Sequence, residues 1–388
     1  MPVKNVKEGG TAVVFRHGRK NVREVLLVLA SDYQSVVQIP FVGISFQSSK
    51  LDPEVLDLAC ASSITGKHGK LRWRLNAYFM QLQYNWSVKK LRRLKAEVLI
   101  VWNGSKDERL LLVQAAKSLD ISVVFAELSP FQDRLSIDFH GVNFENSLPR
   151  DPQFYQLWAN TLAPDMAHLA QIKASLTPRE ARKGSRVGQK PADISLDSEK
   201  YIFCPLQVPG DSQLTNFGSW IKQIDHLIRV LSDVCHQLPK GWSLRVKEHP
   251  SASTSFTELL QSLGSDRFSV DNETNTFEQV ANAQAVLTIN SSVGLLAFLY
   301  DKPVITLGKA FYAIEGLAYS APNINVLSDL IRTPEDLTFD PALRRAFLSY
   351  LCEVHFPKKS DILEGRFKVE DARRRDAEAA EILGKIPK

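Results

Sequence analysis

The sequence has little of what marks a membrane-spanning, disulfide-stapled or metal-scaffolded protein. No stretch approaches the roughly 18 unbroken apolar residues of a spanning helix, and the start, MPVKNVKEGGTAVVFRHGRK, has no apolar run before a small-residue cleavage site. A cytoplasmic protein is expected. The four cysteines, Cys60, Cys204, Cys235 and Cys352, lie far apart, with no CxxC and no metal-like pairing with the eight histidines. They are expected to be reduced core residues rather than a disulfide or zinc framework. The chain also lacks GxxxxGK[ST], a GxGxxG after a strand, GxSxG and HExxH, which removes the usual support for ATPase, dehydrogenase, α/β-hydrolase and zinc-protease readings.

One region lacks charge of a single sign. From Leu58 to Ala96 there is no Asp or Glu, whereas Lys67, Lys70, Arg72, Arg74, Lys89, Lys90, Arg92, Arg93 and Lys95 occur with Trp73, Tyr78, Phe79, Tyr84 and Trp86. A local positive surface follows, suited to phosphate-bearing partners or an anionic membrane face. The competing reading is a solvated helix face whose aromatics belong to the core. No helix-turn-helix, zinc-finger or RNA-recognition signature accompanies the patch, so nucleic acid is not an expected partner.

What is present is an ordinary globular composition, with 44% hydrophobic and 23% charged residues over 388 positions. That length suits two domains, since single cores stop growing near roughly 250 to 300 residues. Short apolar segments (TAVVFRH, EVLLVLA, AEVLIVWNG, ISVVFAE, KYIFCPLQV, WSLRVKEHP, AVLTINSS, KPVITLG) read as strands. Helical patterns such as FGSWIKQIDHLIRVLSDVCHQL and SVGLLAFLY lie between those of the second half. This alternation predicts parallel sheets of βα units. Residues 177–200 are polar and read as a linker between α/β domains at 1–176 and 201–345, with a charged helical tail at 346–388 that packs on the second domain or crosses back to the first. Two Rossmann-like domains facing a cleft would carry ligands at the carboxyl ends of their strands.

Polar residues cluster at those ends. Gln207 and Asp211 follow the strand KYIFCPLQV on a turn set by Pro209 and Gly210, where Asp211 is either a displayed carboxylate or a helix N-cap. Lys247, Glu248, His249 and Pro250 close another strand, where an ammonium and an imidazole could meet a phosphate. Asn290, Ser291, Ser292 and Gly294 occupy a strand-to-helix junction, an anion site or a simple cap. In the first half, Glu127 follows the apolar strand ISVVFA and suits a general acid or base, a helix cap or an ion pair. A negatively charged nucleotide is the economical ligand for this set.

The segments PLQVPGDSQL, VKEHP, TINSSVGLLAFLYDKPVITLGKAFY and, earlier, WNG, FAELSPF and DFHGVNFENSLPRDPQFY together resemble the bacterial capsular-polysaccharide synthesis family, which contains retaining β-Kdo glycosyltransferases. The resemblance runs from about Trp102 to Tyr312. It implies a GT-B-like pair of Rossmann domains that transfers Kdo from CMP-Kdo to a glycan or lipid-linked acceptor of capsule, O-antigen or related glycans, at the cytoplasmic face of the inner membrane. It implies an acceptor-side first domain and a donor-binding second domain. Asp211 matches the nucleophile of a QxxxD motif that Gln207 opens. Glu127 matches the acid/base, although Glu-Leu-Ser stands where Glu-x-Gly is common. Lys247, His249, Ser291 and Ser292 match positions around the CMP phosphate and ribose, with Pro250, Asn290 and Gly294 beside them.

Lys67, Arg72, Arg74, Arg92 and Arg93 are the candidates for the acceptor or membrane side. Closing the cleft would pair Asp211 with Glu127, as retention requires. No DxD-like site is present, so neither a metal nor another cofactor is expected beyond CMP-Kdo itself. A transferase or epimerase using another nucleotide sugar, such as CMP-sialic acid, and a non-catalytic glycan- or lipid-binding assembly protein are the alternatives.

Overall fold

The computed structural model describes residues 10–63, 70–161, 166–178, 187–192, 196–252 and 254–386. By its contacts the chain divides into two units: residues 1–129, 133–148 and 351–388 form the first, and residues 130–132 and 149–350 the second.

The first unit is built on β1 (Thr11–Phe15), β2 (Ser35–Ile39), β3 (Ala96–Trp102), β4 (Ser122–Leu128) and β5 (Leu135–Asp138), in the order β2-β1-β3-β4-β5. All pairs are parallel except β4 with β5. The strands β1 and β3 are buried along most of their length, as both faces of a helix-covered parallel sheet require. EVLLVLA, expected as a strand, instead lies in the helix Lys20–Leu29. Val22, Val25, Leu26 and Leu29 are its buried positions, and that 3-4 spacing decides for a helix where the apolar run alone was ambiguous.

The second unit carries β6 (Lys200–Pro205), β7 (Trp242–Lys247), β8 (Phe268–Val270), β9 (Ala285–Thr288), β10 (Val304–Thr306) and β11 (Tyr319–Ser320) in the wholly parallel order β11-β10-β9-β6-β7-β8. Counted within the unit and read from β8 to β11, this is 3-2-1-4-5-6, the doubly wound order whose direction reverses between its first and fourth strands. The reversal falls between β6 and β9. In the first unit it falls between β1 and β3.

The division between units does not follow the polar stretch 177–200. The helix Pro152–Thr161 belongs to the second unit because its Phe154, Tyr155 and Trp158 pack edge-to-face on Tyr350 of the helix Pro341–Tyr350, with ring centroids 5.1, 5.6 and 5.3 Å away. The tail crosses back to the first unit. Leu135 N donates to Pro357 O at 3.0 Å, Arg134 Nη1 to Phe356 O at 2.7 Å, and Arg375, on the helix Val369–Leu383, to Ile137 O at 3.0 Å. Beside Arg375 the buried Asp138 accepts from His140 N, Gly141 N, Ser147 N and Ser147 Oγ. That carboxylate is fully used as a structural hub.

Candidate functional site

In the second unit the reversal point is closed by an amide pair. Gln207 and Asn290 are both buried, one beyond the end of β6 and the other beyond β9. Gln207 Nε2 donates to Asn290 Oδ1 at 2.9 Å, and Asn290 N donates back to Gln207 Oε1 at 3.2 Å. Asn290 Nδ2 spends its hydrogens on Gln213 O at 2.9 Å and Lys309 O at 3.4 Å. The pair therefore holds three strand-end turns in register and shapes the crevice from below. Gly294 is fixed by packing: a Cβ there would run into Tyr312 Oη, which donates to Ser291 O at 2.5 Å.

Above this pair lie the partly exposed residues. Asp211 follows Gly210, whose φ of +73° is a backbone conformation glycine adopts readily. Asp211 caps the short helix Ser212–Phe217, with Oδ1 accepting from Gln213 N at 3.0 Å. Oδ2 accepts no hydrogen bond among the described residues. Capping and display thus coexist, since one oxygen anchors the carboxylate and the other is presented. Ser291 caps the helix Ser292–Ala297 through Val293 N at 3.2 Å, and Ser292 beside it is half-buried. His249 Nδ1 accepts from Ser251 N at 3.0 Å, which leaves the proton of the neutral ring on Nε2. The buried Pro250 follows it.

Lys247 does something else. Its side chain is buried, and Nζ donates to Gly188 O and Asn272 O at 2.9 Å and to Thr274 O at 2.7 Å. All three ammonium hydrogens are spent on backbone, so the phosphate contact expected of it has no donor left. Burial pushes its pKa down to about 8, against the raising effect of Asp271 and Glu273. A cation that sequence reasoning passed over, Lys309, lies exposed at the carboxyl end of β10, and its backbone N donates to Phe217 O at 2.8 Å. The only signal was its place, directly after the strand PVITLG.

In the first unit Glu127 sits inside β4 rather than after it. Asn103 Nδ2 donates to Glu127 Oε2 at 2.5 Å, and Leu128 N donates to Oε1 at 2.9 Å. Asn103 adopts φ +65° at the end of β3, a conformation asparagine tolerates better than most residues. Its Oδ1 accepts from Ser105 N at 3.0 Å, so the amide that orients Glu127 is itself held.

A pocket of about 400 Å³, which sequence reasoning missed, opens where the strand order reverses. Phe15, Arg16, His17 and Gly18 from the end of β1 line it, as do Phe79, Met80 and Gln83 of the helix Lys70–Leu94 and Asp107, Glu108 and Arg109 of the helix Asp107–Ser118. Burial, then the charges of Arg109 and Arg19, hold the His17 imidazole below its ordinary pKa.

The basic stretch is not one patch. Lys67 lies outside the described residues. Arg72 and Arg74 are exposed near the start of the helix Lys70–Leu94, while Arg92 and Arg93 are exposed in its last turn, about 30 Å away at 1.5 Å per residue. There they complement the helix dipole.

Residues 168–354 match the family described as capsule polysaccharide biosynthesis protein. The chain is 30% identical over 267 residues to Protein FixF of Sinorhizobium fredii, covering 68% of this chain and 61% of that protein. It is 26% identical over 235 residues to the capsule polysaccharide export protein KpsS of Escherichia coli, covering 48% of this chain and 60% of that one. The chain thus spans about three fifths of the length of these curated relatives. Among solved structures it is similar to the KpsC β-Kdo 2,7 transferase of Thermosulfurimonas dismutans, at 12% identity and a TM-score of 0.46, covering 94% of this chain and 99% of that one. Residues 168–354, just under half of the chain, carry the likeness to the capsule polysaccharide biosynthesis family.

Proposed function

We propose that this protein is a retaining glycosyltransferase that moves Kdo from CMP-Kdo to a glycan or lipid-linked acceptor in surface-polysaccharide synthesis. The observation that carries the reading is Asp211: a carboxylate at the reversal point of a doubly wound sheet, fixed through Oδ1 with Oδ2 presented. A nucleophile needs that combination, because an oxygen already engaged must give up its hydrogen bond before it can form a bond to carbon. Asp211 attacks the anomeric carbon of Kdo and the bond to the CMP phosphate oxygen breaks, leaving a glycosyl-enzyme. The acceptor hydroxyl then attacks the same carbon, restores the Asp211 carboxylate and passes its proton to Glu127. Two displacements retain configuration.

His249, donating through Nε2, and Lys309 offset charge on the departing CMP, with Ser291 and Ser292 beside them. Gln207, Asn290, Gly294, Pro250 and Lys247 act by holding the crevice in shape. In the first unit, Arg16, His17 and Arg109 line the pocket that receives the acceptor. No step in this scheme uses a metal ion, so chelation with EDTA is expected to leave turnover unchanged.

The test is intact mass spectrometry after incubation with enzymatically regenerated CMP-Kdo. Glu127→Gln is expected to accumulate a one-Kdo adduct that Asp211→Ala lacks. If neither variant nor the unaltered protein binds or consumes CMP-Kdo while folded, the donor assignment fails.

A further inference from the structure

The helix Lys70–Leu94 begins outside the core. Leu71 is 72% exposed, Leu75 63%, Tyr78 58% and Phe79 46%, whereas Leu82 in the same row is buried. At about 100° per residue the four exposed side chains fall within one arc of about 100°, with Lys70 and Arg74 on one flank and Arg72 on the other.

The row continues through Leu82 and Trp86, and on it rests the loop after β2. Ser45 N donates to Leu82 O at 3.0 Å, Gln81 Nε2 to Ser49 O at 2.9 Å, and Gly43 lies so close to the Trp86 indole that a Cβ would come within 2.7 Å of it. That loop buries Val42 and turns Phe41 (63% exposed), Ile44 (49%) and Phe46 (77%) outward. A monomer that leaves seven large apolar side chains exposed on one helix and the loop seated on it has a surface to cover.

We propose that this face of the first unit docks on an anionic lipid bilayer, lying in its interface. Charge complementarity selects the occupant. Lys70, Arg72 and Arg74 border the apolar arc, and no carboxylate occurs between Leu58 and Ala96, the arrangement of an interfacial helix that buries its apolar face and pairs its cations with anionic headgroups. A second copy is a poor fit, because a two-fold contact sets the same cations against each other. No described helix is long and apolar enough to cross a membrane, so attachment lies in the plane. Phe79 both belongs to this face and lines the first-unit pocket. Where the transferase reading holds, a lipid-borne acceptor enters that pocket from the docked surface.

The experiment is co-sedimentation of the full chain with phosphatidylcholine vesicles, with and without about 30% phosphatidylglycerol. It needs neither donor nor turnover, so vesicle binding without CMP-Kdo consumption counts against the transferase reading alone. Binding is expected only to the anionic vesicles and is expected to weaken as salt rises. Arg72→Gln/Arg74→Gln is expected to lower the partition coefficient about thirtyfold, at about 1 kcal/mol per basic residue. Leu71→Ser/Leu75→Ser is expected to lower it at least about tenfold.

These positions are exposed, and circular dichroism checks that the variants fold. Arg92→Gln/Arg93→Gln, at the far end of the helix, is expected to change binding less than about threefold. The proposal is overturned if the folded chain does not sediment with anionic vesicles, or if the Arg92/Arg93 pair matters as much as Arg72/Arg74. It is equally overturned if the chain is a dimer that Leu71→Ser/Leu75→Ser converts to a monomer without loss of vesicle binding.

Discussion

Both units reverse strand order beside their first strand, and the two reversal points are finished in opposite ways. In the second unit the turns after β6 and β9 are tied by the buried Gln207–Asn290 pair, and the chemistry is left to groups above it. In the first unit no such amide pair ties the turns after β1 and β3 among the described residues; the His17 ring lies 6.0 Å from that of Trp102 at the end of β3. A pocket lined by Arg16, His17 and Arg109 remains between them and the helix Lys70–Leu94. The same topological rule thus yields one floor built to hold side chains still and one cavity built to admit something. The proposed function uses both, a rigid carboxylate in the second unit and a recess for a variable acceptor in the first.

That contrast can be broken at several points. On the proposed function the largest expected effect is on chemistry: Asp211→Ala should lower transfer from CMP-Kdo by at least about a thousandfold, the cost expected for removing a nucleophile. Thermal unfolding should show little change, because losing an exposed cap costs only about 1 kcal/mol. Loss of activity together with a large fall in Tm would show that the cap, and not the nucleophile, was removed.

Next is the floor itself. Lys247→Met removes three hydrogen bonds and should cost about 3 kcal/mol in chemical denaturation, at about 1 kcal/mol for each, although Asn272 O keeps Gly188 N and Thr274 O keeps Gln279 Nε2 as donors. If Lys247 instead contacted phosphate, stability would hold and donor KM would rise. Gln207→Ala and Asn290→Ala should each cost about 2 kcal/mol and raise donor KM. Their double variant should fall short of the sum by about 1 kcal/mol, because both remove the Gln207 Nε2–Asn290 Oδ1 bond.

The smallest effect concerns the open site. Burial, with the Arg109 and Arg19 charges, holds His17 below 6.5 in the folded protein. The unfolded chain therefore takes up this proton first, and the contribution of His17 to stability is present above about pH 6.5 and lost as pH falls from there. NMR titration should find its pKa below 6.5, and an anion seated beside the ring should raise it. A titration left unmoved by phosphate or by a phosphorylated acceptor would sink the pocket's assigned role.

Much of the fold was legible along the chain. AEVLIVWNG, ISVVFAE, KYIFCPLQV and AVLTINSS form strands because apolar runs of that length between polar turns bury both faces of a parallel sheet. EVLLVLA was not legible, since a short apolar run fits either period. The short edge strands β8 and β11 leave too few residues for any pattern. Asp211, His249 and Ser291 were singled out by position, and the fold places each just beyond the carboxyl end of a parallel strand. Arg16, His17 and Lys309 stand in the same relation to their strands but look like ordinary surface cations in sequence.

The sequence by itself determined two sheets of mainly parallel strands, the strand ends that carry polar side chains, and a long segment without carboxylates. Those are local properties of period, turn chemistry and composition. Only the tertiary structure decided which polar groups remain available. Three backbone carbonyls consumed Lys247, a partner 83 residues away consumed Gln207, and Asp211 kept one oxygen. A hydrogen-bond donor can be spent on any acceptor that folding brings within about 3 Å, and sequence spacing does not say which acceptor that is.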